Sequence, residues 1–205
     1  MSAKVPPYGD KYYFDSETAE KVVRWIEKYC THVKGELAEK PFILEPWQKD
    51  EIIRPMFGWK DKATGLRRYK RVFVFVPRKN GKSPLGSCLA LYLLSADGEK
   101  GAEIYIAASD RNQAKIIHDD SKQMIRQNKD LALRIQSYQY SIVYEKTASS
   151  FKVLSADVKR QHGKNSHAVI FDELHTQPNR DLWDVLATSF GARRQPLLIA
   201  FTTAG

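Results

Sequence analysis

Residues 72–83 read VFVFVPRKNGKS, an apolar run of β-branched and aromatic residues, a short loop, and then Gly81-Lys82-Ser83. Such a run predicts a buried parallel strand, and Gly-Lys-Ser opening the next helix predicts a phosphate site. The unpaired N–H groups and positive dipole end of a helix N-terminus attract anions, and glycine at position 81 lets the backbone approach phosphate oxygens. Lys82 has the reach to meet β- and γ-phosphates, and the Ser83 hydroxyl suits Mg²⁺. The commonest form of this loop carries another glycine five residues before Gly81, where this chain has Val76.

A second candidate is AVIFDELH at residues 168–175, an apolar strand that ends in two adjacent carboxylates. At the strand tip Asp172 suits coordination of Mg²⁺, and Glu173 suits polarising a water for in-line attack on a γ-phosphate. About ninety residues separate this pair from Lys82, which favours a joint site over an incidental acidic turn. His175 has no second histidine at ligand spacing and is expected to be a polar contact in the loop. The last apolar strand runs out into Thr202-Thr203-Ala204-Gly205, small hydroxyl residues at the strand end where open α/β sheets bind ligands.

These groups need elements to position them. A helix starts after Asp15 or Ser16, carries Val22, Val23, Ile26 and Tyr29 on one face, and is expected to end near Gly35. Prolines at 41, 46 and 55 predict a short helix bounded by turns, with Trp47, Ile52 and Ile53 facing inward. After the strand at 72–76, the pattern predicts a helix at 82–95, a strand at 103–108 and an amphipathic helix at 110–128. A hairpin of strands at 141–145 and 151–154, a strand at 167–171, a helix at 179–190 and a strand at 196–201 follow. Strands alternating with helices of this length imply right-handed crossovers and a mostly parallel sheet with helices on both faces.

Composition agrees. The 205 residues are 42% hydrophobic, enough for a substantial core, and the formal net charge is +9, which points to a polyanion such as nucleic acid. Nine basic residues (Lys60, Lys62, Arg67, Arg68, Lys70, Arg71, Arg78, Lys79, Lys82) stand between positions 60 and 82 against the single acid Asp61. The block is expected to contact nucleic-acid phosphates rather than form a merely solvated hairpin. Cys30 and Cys88 stand far apart without a metal-ligand pattern, so a reducing, intracellular setting is expected. No apolar run approaches the roughly 20 residues of a membrane span, so a soluble protein without membrane contact is expected.

Together these motifs resemble the ATPase domain of the tailed-phage terminase large subunit, the DNA-packaging motor. Pro77, Arg78, Gly81, Lys82 and Ser83 match the family's Walker A variant, and Asp172-Glu173 matches its Walker B end. Thr202 to Gly205 matches its coupling motif, and Pro46-Trp47-Gln48 matches its adenine-reading element. The resemblance implies a P-loop NTPase of RecA/ASCE type with ATP and Mg²⁺ as cofactors. Nucleotide contacts are implied for Trp47, Gln48, Pro77, Arg78, Lys79, Asn80, Gly81, Lys82, Ser83, Thr202 and Thr203, and metal contacts for Ser83 and Asp172. Glu173 is implied as catalytic base, and Arg78, inside the phosphate loop, is expected to contact the γ-phosphate or couple its loss to movement, with a fallback as a finger in cis.

The family's arginine finger maps nearest to Arg160, with Arg193 and Arg194 as substitutes; Arg160 is alternatively an ordinary DNA-binding or solvated residue. Residues 1–60 are expected to form a helical preamble packed on an ATPase core at 61–205, and the family's C-terminal nuclease is expected to be absent from this chain. Double-stranded DNA, a ring of copies of the chain (pentameric by the resemblance), the portal protein and the small terminase subunit are the implied partners. The host bacterial cytoplasm, with transient residence at the procapsid portal, is the implied location. Two other readings stay open on the residues alone. Asp172-Glu173-Leu174-His175 with Gln48 also fits a DExH-type superfamily 2 helicase fragment, and a degenerate, non-hydrolysing DNA-binding P-loop module is the third.

Overall fold

A computed structural model describes residues 9–154, 163–191 and 193–203. The first elements are β1 (Tyr12–Phe14), α1 (Ser16–Tyr29), α2 (Arg54–Gly58) and β2 (Trp59–Asp61), with β1 and β2 paired antiparallel. Then come β3 (Arg71–Phe75), α3 (Lys82–Ser95), β4 (Glu103–Ala107), α4 (Arg111–Gln127), α5 (Lys129–Ala132), β5 (Gln136–Ser137), β6 (Ser141–Tyr144), β7 (Ser149–Val153), β8 (Ala168–Phe171), α6 (Asp181–Ala187) and β9 (Leu197–Thr202). The main sheet has seven strands in the order β3-β9-β8-β4-β7-β6-β5. It is parallel from β3 through β7 and closes with antiparallel β6 and β5, so the predicted α/β class and hairpin hold.

Alternation along the strands divides the sheet into two packed faces. Ile104, Ile106, Ala168, Ile170, Leu197, Ile199 and Phe201 join α1, α3 and α4 in one continuous cluster. The other face presents Tyr105, Val169, Phe171, Leu198 and Ala200 to α6 and its flanking residues. Helix α3 is buried on nearly every side, as its Leu-rich sequence between sheet and helices requires.

The N-terminal region shares the first cluster rather than sitting apart from it. Asp15 caps α1 by accepting from Thr18 N at 2.9 Å, and Lys60 Nζ closes on the same carboxylate at 2.7 Å. The Lys60 hydrogen bond leads the causes that lower the Asp15 carboxyl to about 2. The helix stops at Tyr29, short of the expected Gly35, because Cys30 is extended and the chain bridges Thr31 to Pro41. The segment before α2 is a π-helical turn, Gln48–Ile53, widened just ahead of Pro55, which lacks an N–H to continue an α-helical ladder.

Two expectations need correction. Residues 72–76 do not form a strand buried on both sides: β3 is at the sheet edge, and Phe73 and Phe75 are 48% and 66% exposed. Val74 faces the core, while Phe73 is partly covered by Trp183 with ring centroids 5.3 Å apart. The basic block is likewise not one polyanion-facing surface. Lys60 is committed to Asp15, and Lys82 and Arg67 are buried.

Arg67 is the centre of a buried ion cluster at the end of the sheet where the parallel strands begin. Its Nη1 donates to Asp97 Oδ1 at 2.6 Å, its Nη2 donates to the carbonyl of Gln195, and its guanidinium lies over the Phe57 ring. His167 Nε2 meets Asp97 Oδ2 at 2.8 Å. Burial acts to raise the Asp97 carboxyl, but the charge of Arg67 and the hydrogen bond from His167 overcome it and hold the group at about 2. The ionised form is therefore favoured by folding, a contribution complete above the ordinary value of 3.8 and lost as pH falls towards about 2. Asp97→Asn should cost about 3 kcal/mol or more at pH 7 by stranding Arg67. Urea unfolding of both proteins checks this: the difference between them should shrink from pH 4 towards pH 2, and an unchanged gap would contradict the assignment.

Candidate functional site

The parallel strands all deliver their carboxyl ends to one edge, and the residues singled out above meet there. The loop after β3 turns through Lys79 and Gly81, both left-handed at φ 65° and 70°, and Gly81 caps α3. That turn lays Pro77, Arg78, Lys79 and Asn80 open to solvent and brings the Asn80 amide back to donate to the carbonyl of Pro77 at 3.2 Å. Lys82 folds beneath the loop, 7% exposed, and donates to the carbonyls of Val76 at 3.3 Å and Pro77 at 3.4 Å.

Strand β9 separates β3 from β8, and the site is assembled across its end. Asp172, fully buried, accepts from Ser83 Oγ at 3.4 Å. Glu173 follows in a left-handed conformation, φ 49°, which throws its carboxylate across to Lys82 Nζ at 3.6 Å. Thr203 Oγ1 donates to Glu173 Oε2 at 2.8 Å, and Thr202 Oγ1 lies 3.1 Å from His175 Nδ1. Ser83, Asp172, Lys82, Glu173, Thr202 and Thr203 are thus one constellation, with the two threonines engaged by the acidic loop.

Asp172 is electrostatically unfinished. Its Oδ1 has no hydrogen-bond partner among the described residues. Burial pushes the carboxyl up and the charge of Glu173 pushes the same way, while hydrogen bonds from Gln113 and Ser83 and the charge of Lys82 oppose them without cancelling them. A buried carboxylate flanked by a serine hydroxyl and short of donors is a fit for a hard, oxygen-seeking divalent cation such as Mg²⁺.

Beside the loop lies a cavity of about 660 Å³, lined by Trp47, Gln48, Lys79, Asn80 and Gly81 and by residues that sequence reasoning passed over, including His32 and Phe42. The rings of His32 and Phe42 pack with centroids 4.8 Å apart, and burial lowers the His32 imidazole so that it favours the neutral form. Gln48 is fixed by accepting from Glu45 N at 3.0 Å, and Glu27 secures the same stretch through Leu44 N and Lys49. The arrangement can seat a planar ring against aromatic walls and a phosphate chain over the loop.

Gln113 was also missed. Its Nε2 donates to Asp172 Oδ2 at 3.0 Å from the first turn of α4, whose cap is Asp110. The one available signal was that cap, which starts α4 directly after β4 and so at the same edge of the sheet. His175 is the polar loop contact expected, although its partners are the two threonines and Glu173. Arg193 lies away from this chain's own site. Its guanidinium is tied to Glu99 and to the carbonyls of Lys100, Gly101 and Asn165, at the opposite end of the sheet. Arg194 follows it there, exposed, and Arg160 lies outside the described residues.

A family model described as "Terminase large subunit, ATPase domain" matches residues 46–205. The large terminase subunit of Enterobacteria phage HK97 is 29% identical over 189 residues, covering 90% of this chain and 36% of that protein. The crystal structure of the HK97 large terminase superposes with a TM-score of 0.75 at 26% identity, over 90% of this chain and 37% of that one. A large terminase from a thermophilic bacteriophage, solved in complex with ADP, shares the fold at a TM-score of 0.53 and 11% identity, over 65% of this chain and 33% of that one. The chain thus spans about a third of the length of these relatives. Residues 172–175, which on their own also fit a helicase box, fall within the terminase match. With its phosphate loop, acidic strand tip and seven-stranded sheet in that match, the chain belongs to the terminase large subunit ATPase domain family.

Proposed function

We propose that this chain is the ATP-hydrolysing motor domain of a viral terminase large subunit that drives double-stranded DNA into a procapsid. The observation that carries the reading is the meeting, across the end of β9, of Lys82 with Glu173 at 3.6 Å and of Ser83 with Asp172 at 3.4 Å. A phosphate-binding lysine, a hydroxyl and two carboxylates at those separations supply the groups that γ-phosphoryl transfer to water requires.

In this reading the base of ATP enters the cavity beside Trp47 and Gln48, and the triphosphate crosses the N-terminus of α3, where Gly81 and the loop backbone receive it. Pro77, Lys79 and Asn80 shape that loop, and Arg78, its side chain exposed, contacts the γ-phosphate. Ser83 and Asp172 hold Mg²⁺, which when bound neutralises phosphate charge. Lys82 meets the β- and γ-phosphates, and Glu173 accepts a proton from the attacking water. Arg160 of a neighbouring copy completes the site in a ring, and Thr202 and Thr203 connect it to the end of β9.

The family's packaging role supports DNA, portal protein and small terminase subunit as partners. The host cytoplasm follows from that role, and no described helix is long and apolar enough to cross a membrane. The exposed side chains of Lys62, Lys70 and Arg71 are what remains of the basic block for DNA phosphates. Residues up to 60 serve as the preamble that carries the base-binding element, and residues 61–205 serve as the ATPase core.

Three outcomes test this. Glu173→Gln should leave ATP·Mg²⁺ binding intact and lower turnover by about 10²- to 10⁴-fold, whereas Lys82→Ala should weaken nucleotide binding itself in a titration. Because folding disfavours a charged Asp172, Asp172→Asn should raise the melting temperature of the protein in EDTA at pH 7. The same variant should lose the stabilisation that ATP·Mg²⁺ confers on the wild type; a variant that melts lower in EDTA yet keeps that stabilisation would remove Asp172 from the metal site. Finally, turnover per subunit should rise with protein concentration, and mixing Arg160→Ala with Glu173→Gln subunits should recover activity. Concentration-independent turnover without recovery would move the finger to Arg78 in cis.

A further inference from the structure

The acid assigned above as the base is held at both oxygens. Glu173 Oε1 lies 3.6 Å from Lys82 Nζ. Oε2 accepts from Thr203 Oγ1 at 2.8 Å and lies 3.4 Å from His175 Nδ1. The imidazole is itself anchored: Nδ1 stands 3.1 Å from Thr202 Oγ1, and both ring nitrogens are 3.5 Å from Thr203 Oγ1. With its proton on Nδ1, His175 donates to Thr202 Oγ1, and that N–H edge lies beside Glu173 Oε2.

The backbone gives this holder its reason. Glu173 is one of four described non-glycine residues at positive φ, a conformation that side chains other than glycine, asparagine and aspartate rarely adopt. The turn that follows is closed by Thr176, whose N and Oγ1 both donate to the carbonyl of Glu173, at 2.9 and 2.7 Å. That turn carries His175 back onto the carboxylate two residues before it. The two holds on Glu173 differ in kind. Lys82 is also the residue placed to meet phosphate, so a bound triphosphate competes with Oε1 for its ammonium. Among the described residues the side chains of Thr203 and His175 contact Glu173, Thr202 and each other, and neither contacts the phosphate loop.

We propose that His175 is a positioning residue: together with Thr203 it keeps Oε2 of Glu173 fixed through hydrolysis, so that when Lys82 turns to phosphate only Oε1 is released, already aimed, as the base. Because Thr202 ends β9 and Thr203 follows it, the same contact makes the aim of the base depend on the position of that strand. The inference rests on Glu173 being the base.

The experiment is single-turnover ATP hydrolysis with the chain in excess, paired with titration of a non-hydrolysable ATP analogue. His175→Ala and Thr203→Val should each slow hydrolysis by about ten- to a hundredfold, the cost of a misaimed group, with the dissociation constant of the analogue within about twofold of wild type. His175→Gln, which keeps a donor near the same place, should recover most of the rate, and the double variant should be scarcely slower than the slower single. Wild-type rates in His175→Ala would overturn the proposal. So would a weakened affinity with an unchanged rate at saturation, or a His175→Gln variant that folds with the wild-type melting temperature yet is as slow as His175→Ala. Glu173→Gln run alongside separates the two readings. If it is inactive while His175→Ala is normal, only the positioning role fails; if it keeps the wild-type rate, the base assignment fails with it.

Discussion

Asp172 ends a central strand at a point with no solvent exposure, and a carboxylate there can be neither hydrated nor ignored. Two neutral donors reach it, Ser83 from the first turn of α3 and Gln113 from the first turn of α4, and both go to the same oxygen. Neither supplies the positive charge that would cancel its own, and Lys82, whose charge offsets it only in part, is turned to Glu173 and two backbone carbonyls. The surrounding fold therefore holds in place a group that works against its own stability. Structures keep such groups where a ligand supplies the missing charge, which is the case for function here.

That constraint explains why the sheet is arranged as it is. For Asp172 to be buried, β8 must lie inside the sheet, between β9 and β4, with α3 and α4 packed against one face. The phosphate loop reaches it from β3, one strand further on, with the end of β9 between them. Thr202 and Thr203 are then unavoidable neighbours of both, which is why the hydroxyls at that strand end meet the acidic loop. The β3-β9-β8-β4 part of the order thus brings the loops after these strands together around one buried charge.

Much of this was legible in the residues. Gly81, Lys82, Ser83, Asp172 and Glu173 announce themselves because each falls where an apolar run breaks into a loop, and the order of such runs implies a shared edge. Asp15 marks a helix start by its capping chemistry, and α1 begins where it indicates. What was not legible depends on register and on remote partners. An apolar run such as residues 72–76 reads alike in a central strand and in an edge strand, so the exposure of Phe75 could not be foreseen. Gln113 sits beside Asp172 only because β4 and β8 pair so that Ala107 lies opposite Phe171. Lys60 and Arg67 show their charge in the sequence, but Asp15 and Asp97, which absorb it, are distant along the chain.

The two buried carboxylates, Asp97 and Asp172, show how one residue type serves opposite ends of the sheet. At the end where the parallel strands begin, Asp97 receives Arg67 and His167, its two oxygens are both occupied, and its carboxyl is held at about 2. That charge is complete within the fold, so it fixes the approach of β3 and the starts of β8 and β9 and has no call on an outside ligand. At the other end Asp172 has neutral donors on one oxygen and none among the described residues on the other, and its carboxyl is pushed up. A loop that closes on a cation needs such an incomplete acid, and a rigid floor beneath it needs the complete one. Had Arg67 stood beside Asp172 instead, the sheet would be better satisfied there and would have no charge left with which to hold a metal.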